Sequence, residues 1–287
     1  MTDSKQHQPF DPVSLEIMWS RLINVSEECW LTIRRTAFSL IIGEVQDFGV
    51  ELLDATGNSL AHSPRSMPVF NLALPRAAKA LLAEFAGDLE PGDVLVTNDP
   101  WLCAGHLFDV ALVTPVFKDG RLVGHTASVA HCSDIGGTRD SLAVREIYEE
   151  GLQIPPMKFH RAGEPNEDLI RLIRTNVRAP DMVMGDLQAQ VSANEVGARR
   201  LIAFMNEYEL DDLTDLAGVV QSRAEGAMRN AIRAIPDGTY SHSVEFDSVG
   251  TPMRFTAHVH VRGDAMHVDW DAPNQVERGA INSTMNY

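Results

Sequence analysis

Apolar positions recur at helical spacing near the start of the chain, where Leu15, Met18, Trp19, Leu22, Val25 and Ile33 follow Asp11-Pro12. Asp11 reads as an N-cap with Pro12 at the first helical position, and the stripe predicts a long helix from about Pro12 to about Ile41. The pattern then breaks into short apolar runs. GVELLDATGNSLAH (49–62) sets a Thr-Gly-Asn turn between two of them and predicts a β-hairpin. A helix around Leu72 to Phe85 and a strand at Val94 to Thr97 follow. Between Asp109 and His131 two strands flank Lys118-Asp119-Gly120-Arg121, and Asp-Gly between apolar runs is a strong hairpin signal. Past Gly136 and Gly137 the spacing is helical over 166–177, 182–209 and roughly 212–234, the second carrying a stripe of Leu187, Val191, Ala198, Leu201 and Met205. Period-two alternation returns over 237–271. Strands, helices and strands in blocks predict an α+β fold rather than regular βαβ repetition. The same blocks suggest an α/β region at 1–160, a helical region at 161–235 and a β-rich region at 236–287. The closing GAINSTMNY has no polar tail or stop signal, so the last region is expected to be incomplete.

Composition removes several function classes. Of 287 residues, 44% are hydrophobic and 22% charged, an ordinary globular balance. The formal charge of −16 repels a phosphate backbone, and no dense Lys/Arg run overrides it, so nucleic acid is not an expected partner. No apolar run reaches the ~20 residues that span a bilayer, and the N-terminal MTDSKQHQPFDP lacks the apolar middle of a signal peptide. Cys29, Cys103 and Cys132 make a sparse, odd set that does not suggest a disulfide framework. A reducing cytoplasm is the expected address.

Candidate chemistry gathers in NDPWLCAGHLFDV (98–110) and in the strand returning toward it. A two-residue hairpin loop sets Phe108 opposite His131 and Asp109 opposite Ala130, whereas a three-residue loop with a left-handed glycine sets Asp109 opposite His131. Either register brings the start of one strand beside the end of the other, with directly opposed Cβ atoms ~4.5–5.5 Å apart. His106 precedes Asp109 by three residues, a spacing that converges in a helical turn and diverges in a strand, and Gly105 permits the bend. His106, Asp109 and His131 then make a two-histidine, one-carboxylate set suited to a divalent metal: manganese, zinc or iron. A solvated loop is the plainer reading of the same residues. Asp134 is a candidate fourth ligand or general base. The amides of Gly136 and Gly137 are candidates for stabilising a developing anion. Asp99 before a proline reads as a turn residue. Cys103 and Cys132 read as small buried hydrophobes, or as zinc-favouring thiolates if either binds.

A rival cluster surrounds Gly263-Asp264. A two-residue turn there sets His260 opposite His267 and His258 opposite Asp269, with Val259, Val261, Met266, Val268 and Trp270 on the other face. Such alternation is also what the solvated face of an antiparallel sheet looks like. Arg34-Arg35 shares its helix with Glu27, Glu28 and Glu44, which suggests a solvated or salt-bridged face. Arg174 and Arg178 are candidates for binding an anionic group, although a helix C-terminus favours cations in any case. There is no P-loop, dinucleotide fingerprint or G-x-S-x-G elbow, so any ATP is expected mainly on another chain.

Five stretches resemble the hydantoinase B/oxoprolinase family: RRTAFSLIIGEVQDFGVELLDATGNSLA (34–61), PGDVLVTNDPWLCAGHLFDVALVTPVF (91–117), ASVAHCSDIGG (127–137), EEGLQIPPMKF (149–159) and IRTNVRAPDMVMGDLQAQVSANEVGARRL (173–201). They run in order over most of the chain. The resemblance implies a B-type, metal-bearing subunit that works in a hetero-oligomer with an A-type subunit, which binds ATP and phosphorylates the small-molecule substrate. Relatives so implied include ATP-dependent hydantoinases, 5-oxoprolinases, lactam hydrolases, and acetone and acetophenone carboxylases. Its metal-binding positions fall here on His106, Asp109 and His131. Where many members have Gly-Gly-Thr-His-Leu-Pro-Asp, this chain has Cys103-Ala104-Gly105-His106-Leu107-Phe108-Asp109, and SMPVFNLALP (66–75) replaces a more usual His-Leu-Gly version. The leading expectation is a subunit of a cyclic-amide hydrolase. A ketone carboxylase subunit and a non-catalytic assembly subunit are the alternatives, and bicarbonate dependence of ATP turnover separates the first two.

Overall fold

A computed structural model describes residues 10–139, 143–247, 252–272 and 281–285. The polar stretch 1–9 and part of the terminal GAINSTMNY lie outside them. The chain divides into two compact units. One comprises Met1–Arg139, Ile147–Gly218 and Ser283–Tyr287, and the other Asp140–Glu146 and Val219–Asn282.

In the first unit, helix α1 (Pro12–Thr36) starts as expected, with the Asp11 Oδ1 accepting from the amides of Val13 and Ser14 at 3.1 Å each. It buries Leu15, Met18, Leu22, Val25, Cys29, Trp30 and Ile33. Burial of each large side chain contributes about 1.5–3 kcal/mol. The helix stops short of the expected Ile41 because a tertiary contact takes its next amides. Phe38 N and Ser39 N donate to the buried Asp186 Oδ1 at 2.7 and 3.1 Å. Ala37 is accordingly extended, and a π-helical turn, Ile41–Val45, leads into the sheet.

Strands β1 (Phe48–Asp54) and β2 (Ser59–His62) form the expected hairpin. Helix α2 (Pro68–Glu84) begins earlier than Leu72, with Pro68 in its first turn, and carries Pro75 in its interior. Then come β3 (Val94–Thr97), β4 (Asp109–Lys118), β5 (Arg121–His131) and the short α3 (Ile147–Glu150). Strands β6 (Met157–Arg161) and β7 (Glu164–Pro165) precede helices α4 (Glu167–Asn176), α5 (Pro180–Glu207) and α6 (Thr214–Arg233).

The strands of the first unit build a seven-stranded sheet in the order β2-β1-β5-β4-β3-β6-β7, all neighbours antiparallel. Alternation sorts its residues onto two faces. Phe48, Val50 and Ala130 pack with Trp30 and Ile33 of α1 and Ala193 of α5, and Val94, Val96, Val110 and Leu112 pack with α4 and α5. The opposite face, with Leu53, Leu95, Ala111, Val113, Ala127 and Val129, lies against Phe70, Leu74, Ala77, Ala78 and Leu81 of α2. Helices on both faces of an antiparallel sheet confirm the α+β class, a layered architecture that buries both sides.

The register of the β4–β5 hairpin combines the two expected alternatives. Asp119 and Gly120 both have positive φ, 52° and 78°, as a two-residue type I′ turn requires. Lys118 faces Arg121 and Phe117 faces Leu122, but Val116 then faces Gly124, so Val123 is one extra residue in a bulge. From there onward the pairing is that of the longer loop, and Asp109 faces His131.

The second unit holds a three-stranded antiparallel sheet of β8 (Gly238–Phe246), β9 (Met253–Arg262) and β10 (Ala265–Asp271), in the order β10-β9-β8. His260 faces His267 and His258 faces Asp269 across the Gly263-Asp264 turn, as its spacing predicts.

Candidate metal centre

Strand β5 lies between β1 and β4, and its last residue, His131, sits where both neighbours begin. Asp109 of β4 is paired with it on one side. On the other, Phe48 pairs with Ala130 and the His131 amide donates to the Asp47 carbonyl at 3.0 Å, which sets Asp47 beside it. The segment before β4 supplies the fourth member. It turns through Asp99, whose carbonyl accepts from Leu102 N and Cys103 N at 3.0 and 2.8 Å while its Oδ1 accepts from Trp101 N at 2.9 Å. That is the turn role expected of Asp99.

Asn98, fully buried, holds this segment in place. Its Nδ2 donates to the Leu107 and Leu152 carbonyls at 2.7 and 2.9 Å, and its Oδ1 accepts from Ile154 N at 2.6 Å. Glu150 Oε2 accepts from Leu107 N at 3.0 Å. Between these anchors His106 turns back onto Asp109, the convergence that a three-residue spacing permits only off a strand.

The resulting geometry is compact. His106 Nε2 lies 2.8 Å from Asp109 Oδ2, and His131 Nδ1 lies 3.1 Å from Asp109 Oδ1 and 3.8 Å from Asp47 Oδ2. One ligand atom from each of His106, Asp109 and His131 falls within 4.8 Å of the others, which no other such group among the described residues achieves. The imidazoles of His106 and His131 are 4.9 Å apart between ring centres. Phe108 stacks on His131 at 5.2 Å with ring planes 7° apart, forming an apolar wall.

Charge is concentrated here. Burial alone would raise the Asp109 carboxyl, which is 1% exposed, but the two histidines outweigh it and hold its pKa below the ordinary value. Burial opposes protonation of His106, yet Asp109 leaves its pKa raised. Asp47 is pushed up chiefly by burial, with His131 pulling against it. The decisive feature for a cation is Asp109 Oδ2. It is buried and close to His106 Nε2, but no hydrogen bond of acceptable geometry reaches it. An unsatisfied buried anionic oxygen costs about 1–3 kcal/mol or more, and a cation between carboxylate and imidazole removes that cost. Two imidazoles and one or two carboxylates fit a divalent ion of the manganese, iron or zinc type.

Thiolate does not complete the set. Cys103 and Cys132 are free and buried in apolar clusters, where burial pushes the Cys103 thiol up to about 12 and raises Cys132 as well.

Asp134, Gly136 and Gly137 are placed differently from the expectation. Asp134 Oδ1 accepts from Gly136 N and from Arg178 Nη1, at 3.0 and 2.9 Å, while its Oδ2 accepts from Arg178 N and from Ala179 N. Four donors fill its acceptor sites, which leaves no free lone pair for a base. The Gly136 amide is spent on Asp134, and the carbonyls of both glycines accept from Arg178. Gly137, at φ +59°, lies so close to Glu150 that a Cβ would stand 2.3 Å from the Glu150 carbonyl. These residues tie the loop after β5 to the start of α5 and to the Glu150 anchor.

The carboxylates that do face the triad, Asp47 and the anchoring Glu150, carried no local signal. Asp47 follows no motif, and only the long-range pairing of β1 with β5 reveals it. Of the arginines, Arg174 pairs with Asp181 at 2.6 Å, and Glu27 and Glu28 bind Arg65 and Arg200 at 3.2 and 2.6 Å. Glu27 and Glu28 of α1 are thus salt-bridged to arginines outside the helix, while Arg34 lies 5.8 Å from the centre of the Trp30 ring.

The family profile of hydantoinase B/oxoprolinase matches residues 11–287. The chain belongs to this family. It is similar to the beta chain of caprolactamase from Pseudomonas jessenii, 33% identical over 272 residues that make up 93% of this chain and 47% of that one. It is 32% identical over 247 residues to the B-type chain of a putative D-/L-hydantoinase from Pseudomonas sp. (strain NS671), covering 84% of this chain and 41% of the relative. The crystal structure of the ATP-dependent caprolactamase from Pseudomonas jessenii superposes with a TM-score of 0.85 at 32% identity, over 94% of this chain and 47% of that one. A nucleotide-free acetone carboxylase structure shares the fold, with a TM-score of 0.82 at 18% identity over 94% of this chain and 38% of that one. The chain thus spans about half the length or less of these relatives. Among the described residues no helix is long and apolar enough to cross a membrane.

Proposed function

We propose that this chain is the metal-bearing part of an ATP-dependent cyclic-amide hydrolase, acting on a lactam, hydantoin or oxoproline ring that an A-type partner phosphorylates with ATP. The observation that carries the reading is the closure of His106, Asp109 and His131 around an unsatisfied buried carboxylate oxygen, in a chain whose relatives include components named for caprolactamase and hydantoinase.

In this reading His106, Asp109 and His131 hold a divalent ion. Such an ion, when bound, lowers the pKa of a water and polarises the oxygen it contacts. Asp47, at the edge of the triad, accepts the proton of the attacking water at Oδ2 as an ionised carboxylate, made more basic by the burial that raises its pKa. It takes the role that Asp134 cannot fill. Phe108 shields one side of His131 from solvent and fixes its ring plane. Asn98 and Glu150 keep His106 and Asp109 facing each other.

The test combines this chain with its A-type partner and ATP over a panel of lactams, hydantoins and 5-oxoproline. Ring opening coupled to phosphate release, independent of bicarbonate and lost in His131→Ala, supports the reading. ATP turnover that requires bicarbonate makes it a carboxylase instead, and turnover undiminished in His131→Ala removes the triad from the chemistry.

A further inference from the structure

The second unit carries a separate histidine–aspartate cluster on one face of its sheet. Thr239, on β8, places its hydroxyl 2.9 Å from His260 Nδ1 and so directs His260 Nε2 across β9 toward β10. There Nε2 stands 3.1 Å from Asp269 Oδ2, while His267 Nε2, from the residue directly opposite His260, stands 2.9 Å from Asp269 Oδ1. Two imidazole nitrogens thus flank a single carboxylate. One step along the sheet the arrangement repeats, with Ser241 Oγ 2.7 Å from His258 Nδ1 and His258 Nε2 3.0 Å from Asp271 Oδ2. A cleft of about 430 Å³ opens beside His260 and His267, bounded toward the turn by Arg262, Ala265 and Met266.

We propose that His260, His267 and Asp269 form a second binding site for a divalent transition ion, distinct from the triad. Two imidazoles with one carboxylate are the donor set that zinc, nickel and copper accept. A hydroxyl fixing Nδ1 is the kind of outer partner that orients an imidazole for ligation through Nε2. As they stand, His260 and His267 meet different oxygens of Asp269, so shared ligation requires a rotation of His267. That side chain is 75% exposed, which leaves it room to turn. An ion held there cross-links β9 and β10, and so also stabilises the hairpin that presents it.

The experiment is a zinc titration of the full chain by calorimetry, with variants that separate the two sites. Wild type is expected to take up two equivalents, His106→Ala/His131→Ala to keep one, and His260→Gln/His267→Gln to keep the other. Thr239→Val is expected to weaken the second site by roughly tenfold without touching the first. In the His106→Ala/His131→Ala background, copper(II) is expected to show electron-spin hyperfine coupling to two nitrogens. The side chains replaced in His260→Gln/His267→Gln are 33% and 75% exposed, so circular dichroism is expected to stay native. A second equivalent that survives in His260→Gln/His267→Gln, or copper without nitrogen coupling, overturns the proposal. So does zinc uptake by wild type that vanishes altogether in His106→Ala/His131→Ala. A wild type that takes up a single equivalent, kept in His106→Ala/His131→Ala and lost in His260→Gln/His267→Gln, supports this site and counts against the triad.

Discussion

Replacing Glu51 with glutamine tests how the sheet tolerates a deeply buried acid. Alternation along β1 puts Glu51 on the same side as Gly49 and Leu53, against α2, where a Cβ on Gly49 would stand 2.8 Å from the Phe70 Cβ. It is 2% exposed, and neither oxygen finds a well-aligned hydrogen-bond donor among the described residues. Burial pushes its pKa from the ordinary 4.5 up to about 8, with the Ser59 hydroxyl opposing in part. Between those values the unfolded chain ionises while the folded chain stays protonated. The folded state therefore binds more protons, and stability falls as pH rises from about 4.5 through about 8, then levels off. At 1.36 kcal/mol per pH unit the full loss is roughly 5 kcal/mol, and water reaching the site trims it to roughly 3–5 kcal/mol. Glutamine keeps the shape and cannot ionise. Urea unfolding of wild type and Glu51→Gln at pH 5, 7 and 9 is the assay, because every other titrating group cancels in the difference. The variant is expected to gain on wild type by roughly 3–5 kcal/mol between pH 5 and pH 9. A difference that stays constant with pH refutes the reasoning.

Other substitutions follow the same logic. Asn98→Ala removes three buried hydrogen bonds and leaves two carbonyls and an amide unsatisfied, which is expected to cost about 3–5 kcal/mol in urea unfolding and to weaken metal binding because His106 loses its anchor. Gly137→Ala forces a Cβ into the Glu150 carbonyl at a left-handed φ, and a loss of about 2–4 kcal/mol in thermal unfolding is expected. Asp134→Asn, which weakens the clasp on Arg178 without touching the triad, is expected to lower stability and leave metal content unchanged; loss of metal would mean that Asp134 is a ligand after all. Metal affinity measured against pH is expected to fall as the solution becomes acidic, beginning above the ordinary histidine value of 6.5, because the raised pKa of His106 keeps a proton on the ligand nitrogen.

Much of this was legible along the chain, and the reasons differ by element. The Asp119-Gly120 turn announces the central hairpin, since few sequences satisfy two consecutive positive φ angles, and counting outward from it brings Asp109 opposite Ala130 or His131 according to loop length. The bulge at Val123 was not legible. It depends on Gly124, which must lack a side chain because a Cβ there would stand 2.8 Å from the Leu53 carbonyl on β1. The end of α1 was misjudged for a similar reason, because the Asp186 carboxylate that captures Phe38 and Ser39 lies about 150 positions away in sequence. Asp47 stayed hidden because its place beside His131 follows from strand order, which periodicity does not encode. Asp134 looked like a free base because spacing says nothing of Arg178. Local chemistry was readable wherever a turn fixed the register, and failed wherever a distant side chain chose the partner.

The most direct test of the central claim is elemental analysis of the purified chain beside His131→Ala, after dialysis against a weak chelator that strips exposed sites. About one divalent ion per chain in wild type and none in the variant is the predicted result. An ion retained in His131→Ala, or absent from both, would contradict it.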